Sequence, residues 1–94
     1  MVKVELDAMG RNLVEFSCSA ADADVVALAG SFNDWDPEKH LMSRRNGVFS
    51  LAILLAPGKY EYKFVVDGKW EIDNENPRFT ANDFGTLNSV CEIL

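Results

Sequence analysis

Hydrophobic and polar residues alternate singly along most of the chain, and a period of two predicts strands. From Leu13 to Ala20, Val14, Phe16 and Cys18 fall on one side and Glu15, Ser17 and Ser19 on the other. Asp24–Ala29 is short, largely apolar and closed by Gly30. Val48–Leu55 places Phe49, Leu51, Ile53 and Leu55 on one face, and Ala56-Pro57-Gly58 then turns the chain. Lys59–Val66 sets Tyr60, Tyr62, Phe64 and Val66 against Lys59, Glu61, Lys63 and Val65. Lys69–Asp73 and Thr86–Leu94 complete the set, and no window of helical length carries a 3.6-residue period. Short strands separated by turn residues predict an all-β antiparallel sandwich, one domain over residues 1–94. The stretches 31–46 and 74–85 do not read as strands, apart from room for a short one around Leu41–Ser43. Connections of that length in a small domain are often binding loops.

Asp67-Gly68 between two alternating runs is a two-residue hairpin signal, because a type I′ turn needs positive φ at both central positions. With that loop Val66 pairs with Lys69, Val65 with Trp70 and Lys63 with Ile72. Paired residues project to the same side of a sheet. If Tyr60, Tyr62, Phe64 and Val66 fill the core, Trp70 stands outside it beside Lys63, unless a loop folds over the indole. Trp35 sits in Gly30-Ser31-Phe32-Asn33-Asp34-Trp35-Asp36-Pro37, where Phe32 is the expected core anchor and nothing local obliges Trp35 to be buried. Thr86 and Asn88 share a strand face, with Leu87 and Cys91 on the other.

Charge narrows the chemistry. Nine basic residues against fifteen acidic ones give a net charge of −6, which disfavours nucleic acid and anionic membrane surfaces. No apolar run approaches the ~18–20 residues of a membrane span. The opening MVKVELDAMG has no long apolar stretch ahead of a small-residue cleavage site, so no secretory leader is expected and the cytoplasm is the expected address. Cys18 and Cys91 are far apart, without a CxxC or a partner His at ligand spacing, and read first as two reduced thiols, with a disulfide second.

Four segments, in this order and spacing, carry a resemblance: Gly30-Ser31-Phe32-Asn33-Asp34-Trp35; Tyr62-Lys63-Phe64; Val66-Asp67-Gly68-Lys69-Trp70; and Phe84-Gly85-Thr86-Leu87-Asn88-Ser89-Val90. From about Val14 to Leu94 the chain resembles the family 48 carbohydrate-binding modules. These include the glycogen-binding domain of the AMP-activated protein kinase beta subunit and the N-terminal domains of branching and debranching enzymes. The resemblance implies an immunoglobulin-like, early-set β-sandwich that binds α-1,4-linked glucan without catalysis and needs no cofactor. It implies stacking platforms at Trp35 and Trp70 and hydroxyl partners at Lys63, Thr86 and Asn88. Phe84 stands where the glycogen-binding domains usually carry Leu against the sugar helix. A partner enzyme or kinase subunit is also implied.

The residue types suit a sugar. Indole rings cover the C–H face of a glucose ring; at 50–80 Å² per platform this contributes roughly 1–2 kcal/mol each. Set against the cost of association, two platforms and a few hydrogen bonds predict weak binding, about 10 μM to 1 mM. Asp34, Asp36 and Glu38 cluster near His40, yet charged loop residues at this density are usually solvated, and no catalytic residue is expected. The same run lacks the glycine and distal Glu of a calcium loop, so no metal site is expected. The main competing function is a structural or protein-interaction module of the same fold that holds no sugar. Self-association through a sheet edge or the Trp35/Trp70 patch stays open. A start at Met1 and an end on a strand give the expectation of a whole chain working with an unseen partner.

Overall fold

The alternating runs pair into two antiparallel sheets in a computed structural model that describes all 94 residues. In chain order the strands are β1 (Val2–Leu6), β2 (Asn12–Ser19), β3 (Val26–Gly30), β4 (Ser43–Arg45) and β5 (Val48–Leu54). They continue as β6 (Gly58–Val66), β7 (Lys69–Glu71), β8 (Phe79–Ala81) and β9 (Leu87–Ile93). One sheet has the order β1-β2-β5-β4; the other has β3-β6-β9-β8, with β7 paired to β6 beyond the end of β9.

The core lies between the sheets where the apolar faces meet. Val14 and Phe16 from β2 and Phe49 from β5 pack against Val26, Leu28, Tyr62, Phe64, Cys91 and Ile93 from the facing sheet. Tyr60, Val66, Leu51, Ile53, Leu55 and Phe32 border this cluster, as the alternation predicts. Edge-to-face packing joins the Phe16 and Tyr62 rings, whose centroids are 4.9 Å apart. The buried Tyr62 hydroxyl donates to Asp73 Oδ2 at 2.7 Å and accepts from Asn76 Nδ2 at 3.0 Å. Asp73 also pairs with the N-terminal ammonium, and its backbone N–H donates to Ser89 Oγ at 2.7 Å. Burial, with the Asp73 carboxylate adding to it, pushes the Tyr62 phenol far above its ordinary range. Cys18 and Cys91 are free thiols, and burial raises both, Cys91 to about 11.

The strand boundaries differ from the expected ones where side chains capture backbone groups. β3 begins at Val26 rather than Asp24 because the Asp67 carboxylate accepts the N–H groups of Asp24 and Val25 at 3.0 and 2.9 Å. β7 ends at Glu71 rather than Asp73, whose N–H turns to Ser89, so the expected Lys63–Ile72 pair does not extend the ladder. β9 begins at Leu87 because Asn82 Oδ1 accepts the Thr86 N–H. Two strands lie outside the expected set: β1, although Val2, Val4 and Leu6 alternate with Lys3 and Glu5, and β8, inside the stretch 74–85 expected to be irregular. The stretch 31–46 holds a single Ala27–Leu41 bridge and then β4, so its strand lies slightly later than Leu41–Ser43.

Candidate functional site

The outer face of the β3-β6-β9-β8 sheet is built by the residues that the core does not use. Val65 pairs with Trp70 and with Ala27, and Lys63 pairs with Ala29, so these side chains share that face. The hairpin turn has φ +47° at Asp67 and +85° at Gly68, the backbone that a two-residue type I′ loop requires. Its register, Val66 to Lys69 and Val65 to Trp70, is the one expected, and Trp70 is 45% exposed.

Trp35 reaches the same face by a different route. At the end of β3 a Cβ on Gly30 would stand 2.6 Å from the Glu61 carbonyl oxygen and 2.7 Å from the Phe32 ring, so only glycine fits where the loop departs. Asn33, buried three residues on, accepts the Gly30 N–H at 2.9 Å and donates through Nδ2 to Leu28 O at 2.9 Å. The same Nδ2 lies 2.9 Å from His40 Nδ1. Gly30 O in turn accepts the N–H groups of Asn33 and Trp35. Held in this way, Asp34 and Trp35 both take φ of +58°, a left-handed backbone unusual for side-chain-bearing residues. The turn lays the half-buried indole of Trp35 against Ala27, Ala29 and Val65. Small side chains at 27 and 29 leave the space that the ring occupies.

A polar wall faces the two indoles. Lys63 Nζ donates to Thr86 Oγ1 at 3.0 Å, and Asn82 Nδ2 donates to the same hydroxyl at 2.7 Å and to Asn88 Oδ1 at 2.9 Å. Asn88 Nδ2 donates to Glu61 Oε1 at 2.9 Å. Asn82 Oδ1 accepts the N–H groups of Phe84 and Thr86, shaping the turn on which Phe84 stands 91% exposed.

Trp35, Lys63, Trp70, Phe84, Thr86 and Asn88 thus surround one open cleft of about 660 Å³. Asn88 differs from the others. Only 6% exposed, it lies at the floor with both ends of its amide engaged, so it braces the wall from beneath. Glu61 and Asn82 join the site through it, and sequence reasoning missed both. For Asn82 a signal exists, since Asn two residues ahead of Phe84-Gly85 is a turn-forming side chain; for Glu61 there is none beyond its place on the outward face of β6. The opposite side of the β6–β7 hairpin carries a cleft of about 610 Å³ lined by Asp22, Asp67, Glu71, Asp73 and Glu75, with no exposed aromatic ring. The two clefts therefore suit different ligands. Flat apolar rings beside mixed hydrogen-bonding groups match a neutral polyhydroxylated ring, for which charge matters little.

Comparison with known proteins agrees with this chemistry. Residues 14–94 match the family described as the glycogen recognition site of AMP-activated protein kinase. The chain is 45% identical over 62 residues to protein PTST homolog 2, chloroplastic, of Arabidopsis thaliana, covering 66% of this chain and 12% of that protein. It is 42% identical over 71 residues to protein FLOURY ENDOSPERM 6, chloroplastic, of Oryza sativa subsp. japonica, covering 76% and 13%. With 5′-AMP-activated protein kinase subunit beta-1 of Sus scrofa it shares 37% identity over 68 residues, covering 72% and 53%. The chain thus spans about an eighth to a half of these relatives. A maltogenic amylase from S. marinus contains the same fold, with a TM-score of 0.84 at 21% identity over all of this chain and 16% of that one.

Proposed function

The chain belongs to the family of glycogen recognition sites of AMP-activated protein kinase, and on that premise we propose that it binds α-1,4-linked glucan at the cleft between Trp35 and Trp70 without catalysing a reaction. One observation carries the reading: two indoles that are not core residues, delivered by two unrelated segments, flank the same cleft as Lys63, Thr86 and Phe84. The glucan's glucose C–H faces stack on the indoles, each contributing roughly 1–2 kcal/mol. Lys63 and Thr86, already oriented by their mutual hydrogen bond, exchange part of that bonding for sugar hydroxyls and set the orientation of the chain. Phe84 offers an exposed ring to the next turn of the glucan. Binding of this kind is weak, about 10 μM to 1 mM, which suits docking on a polymer with many equivalent sites.

Titration of tryptophan fluorescence with β-cyclodextrin or maltoheptaose, on wild type and Trp70→Ala, tests the proposal. The expected result is a saturable change in the wild type that weakens about tenfold or more in the variant, while its unfolding stays cooperative. A flat titration at millimolar sugar overturns glucan binding and leaves the protein-interaction module of the same fold.

A further inference from the structure

The other sheet ends on a strand whose pattern is self-complementary. In the β1–β2 pair, Met1 N donates to Ser17 O and Ser17 N donates to Met1 O, both at 2.9 Å, and Asp7 N donates to Arg11 O at 2.8 Å. In an antiparallel ladder such doubly bonded residues alternate with residues whose backbone groups point away from the partner strand. Residues 1, 3, 5 and 7 therefore bond to β2, and Val2, Val4 and Leu6 turn their N–H and C=O groups to the open edge, where no other strand pairs. The same three side chains lie on the core face of the sheet, since Val2 pairs with Phe16 and Val4 with Val14. Yet Val4 is 47% and Leu6 70% exposed, beside a Val14 that is wholly buried. Lys3 and Glu5 occupy the outer face, 3.0 Å apart. The strand thus has no proline, no bulge and no inward charge; the one protective feature it carries is the outer-face pair Lys3 and Glu5, whose opposite charges can be matched by a second copy of the same strand.

We propose that β1 is a homodimer interface, pairing antiparallel with β1 of a second copy about a twofold axis at Val4. In that register Val4 faces the second copy's Val4 and Val2 faces Leu6, each pairing using the outward backbone groups that are free in the monomer. On the outer face Lys3 meets the second copy's Glu5, twice. The neighbouring registers compatible with the same backbone groups place Lys3 opposite Lys3 or Glu5 opposite Glu5, which like-charge repulsion disfavours. The opposite charges they would also bring together, the N-terminal ammonium and Asp7, are already committed to Asp73 and Arg11. The edge charges thus select one register, and the exposed Val4 and Leu6 stripe is covered by its own copy. A twofold contact of this kind closes on itself, giving a dimer rather than a filament.

Sedimentation equilibrium of the 94-residue chain reads the result directly. The wild type rises from 10.5 kDa towards twice that mass between about 10 μM and 1 mM. Val4→Pro removes an outward N–H without touching the β1–β2 ladder, so it stays monomeric at the top concentration while unfolding cooperatively. Lys3→Glu and Glu5→Lys are each monomeric alone, and their equimolar mixture recovers the wild-type dimer, which also decides the matter if Val4→Pro fails to fold. Trp70→Ala dimerises like the wild type. A wild type monomeric to 1 mM, charge variants that associate alone, a mixture that stays monomeric, or loss of the dimer in Trp70→Ala would each overturn the proposal.

Discussion

The Trp70 hairpin and the Trp35 loop bring the same side chain to the same cleft by opposite means. The hairpin uses local chemistry: Asp67-Gly68 selects a turn, the turn selects a register, and the register selects the face on which Trp70 projects. The loop uses distant partners. Asn33 holds Gly30, Leu28 and His40 together, and Trp35 is carried to the sheet as a result. A platform set by register is robust and readable. One set by a buried polar side chain depends on every bond that side chain makes.

Removing the loop's keystone should have the largest effect. Asn33→Ala leaves the Gly30 N–H and the Leu28 carbonyl without their partner, and is expected to cost about 3 kcal/mol of stability in urea unfolding and to weaken glucan binding about tenfold. The two indoles should then separate by what they touch. Trp35→Ala uncovers Ala27, Ala29 and Val65 and is expected to lose about 1–2 kcal/mol of stability along with binding. Trp70→Ala should lose a similar amount of binding while stability stays within about 0.5 kcal/mol, measured by paired sugar titration and unfolding. Equal losses of stability would erase the distinction between the two segments.

The subtlest contrast lies in two aspartates with positive φ. Asp67 (+47°) earns its place by accepting the Asp24 and Val25 N–H groups, whereas Asp34 (+58°) accepts no hydrogen bond. Asp67→Gly is therefore expected to lose about 1 kcal/mol of stability, the lost bonds outweighing the relieved backbone. Asp34→Gly should gain a few tenths to about 1 kcal/mol. Thermal unfolding of both variants under one condition checks the signs, and a loss in Asp34→Gly would mean that the Trp35 turn is not strained.

The same contrast explains what was legible in the sequence. The alternation of Tyr60, Tyr62, Phe64 and Val66 with Lys59, Glu61, Lys63 and Val65 is a period-two pattern that survives folding unchanged, so the core face of β6 and the outward position of Trp70 could be read directly. The three-residue β8 could not, because Phe79-Thr80-Ala81 follows Arg78 and Pro77 and becomes a strand only by pairing with the available edge of β9. Nor could the burial of Asn88, since its partners Glu61 and Asn82 are distant or loop residues that meet it only after the sheet has formed. Gly30 was legible as the end of a strand and Phe32 as the anchor of the loop that follows, but the left-handed backbone at Trp35 arises from contacts of Asn33 with Leu28 and His40 that no local pattern encodes.

The strand β6 serves the core with every second residue and the cleft with those between. Its two duties share one phase, much as overlapping messages share a reading frame. Substitutions at Glu61 or Lys63 are free to retune what the outer surface recognises while the interior stays as it is, with Val65 buried beneath the Trp35 indole, but a single inserted or deleted residue would scramble both at once. Recognition in this domain is therefore adjustable in composition and rigid in length.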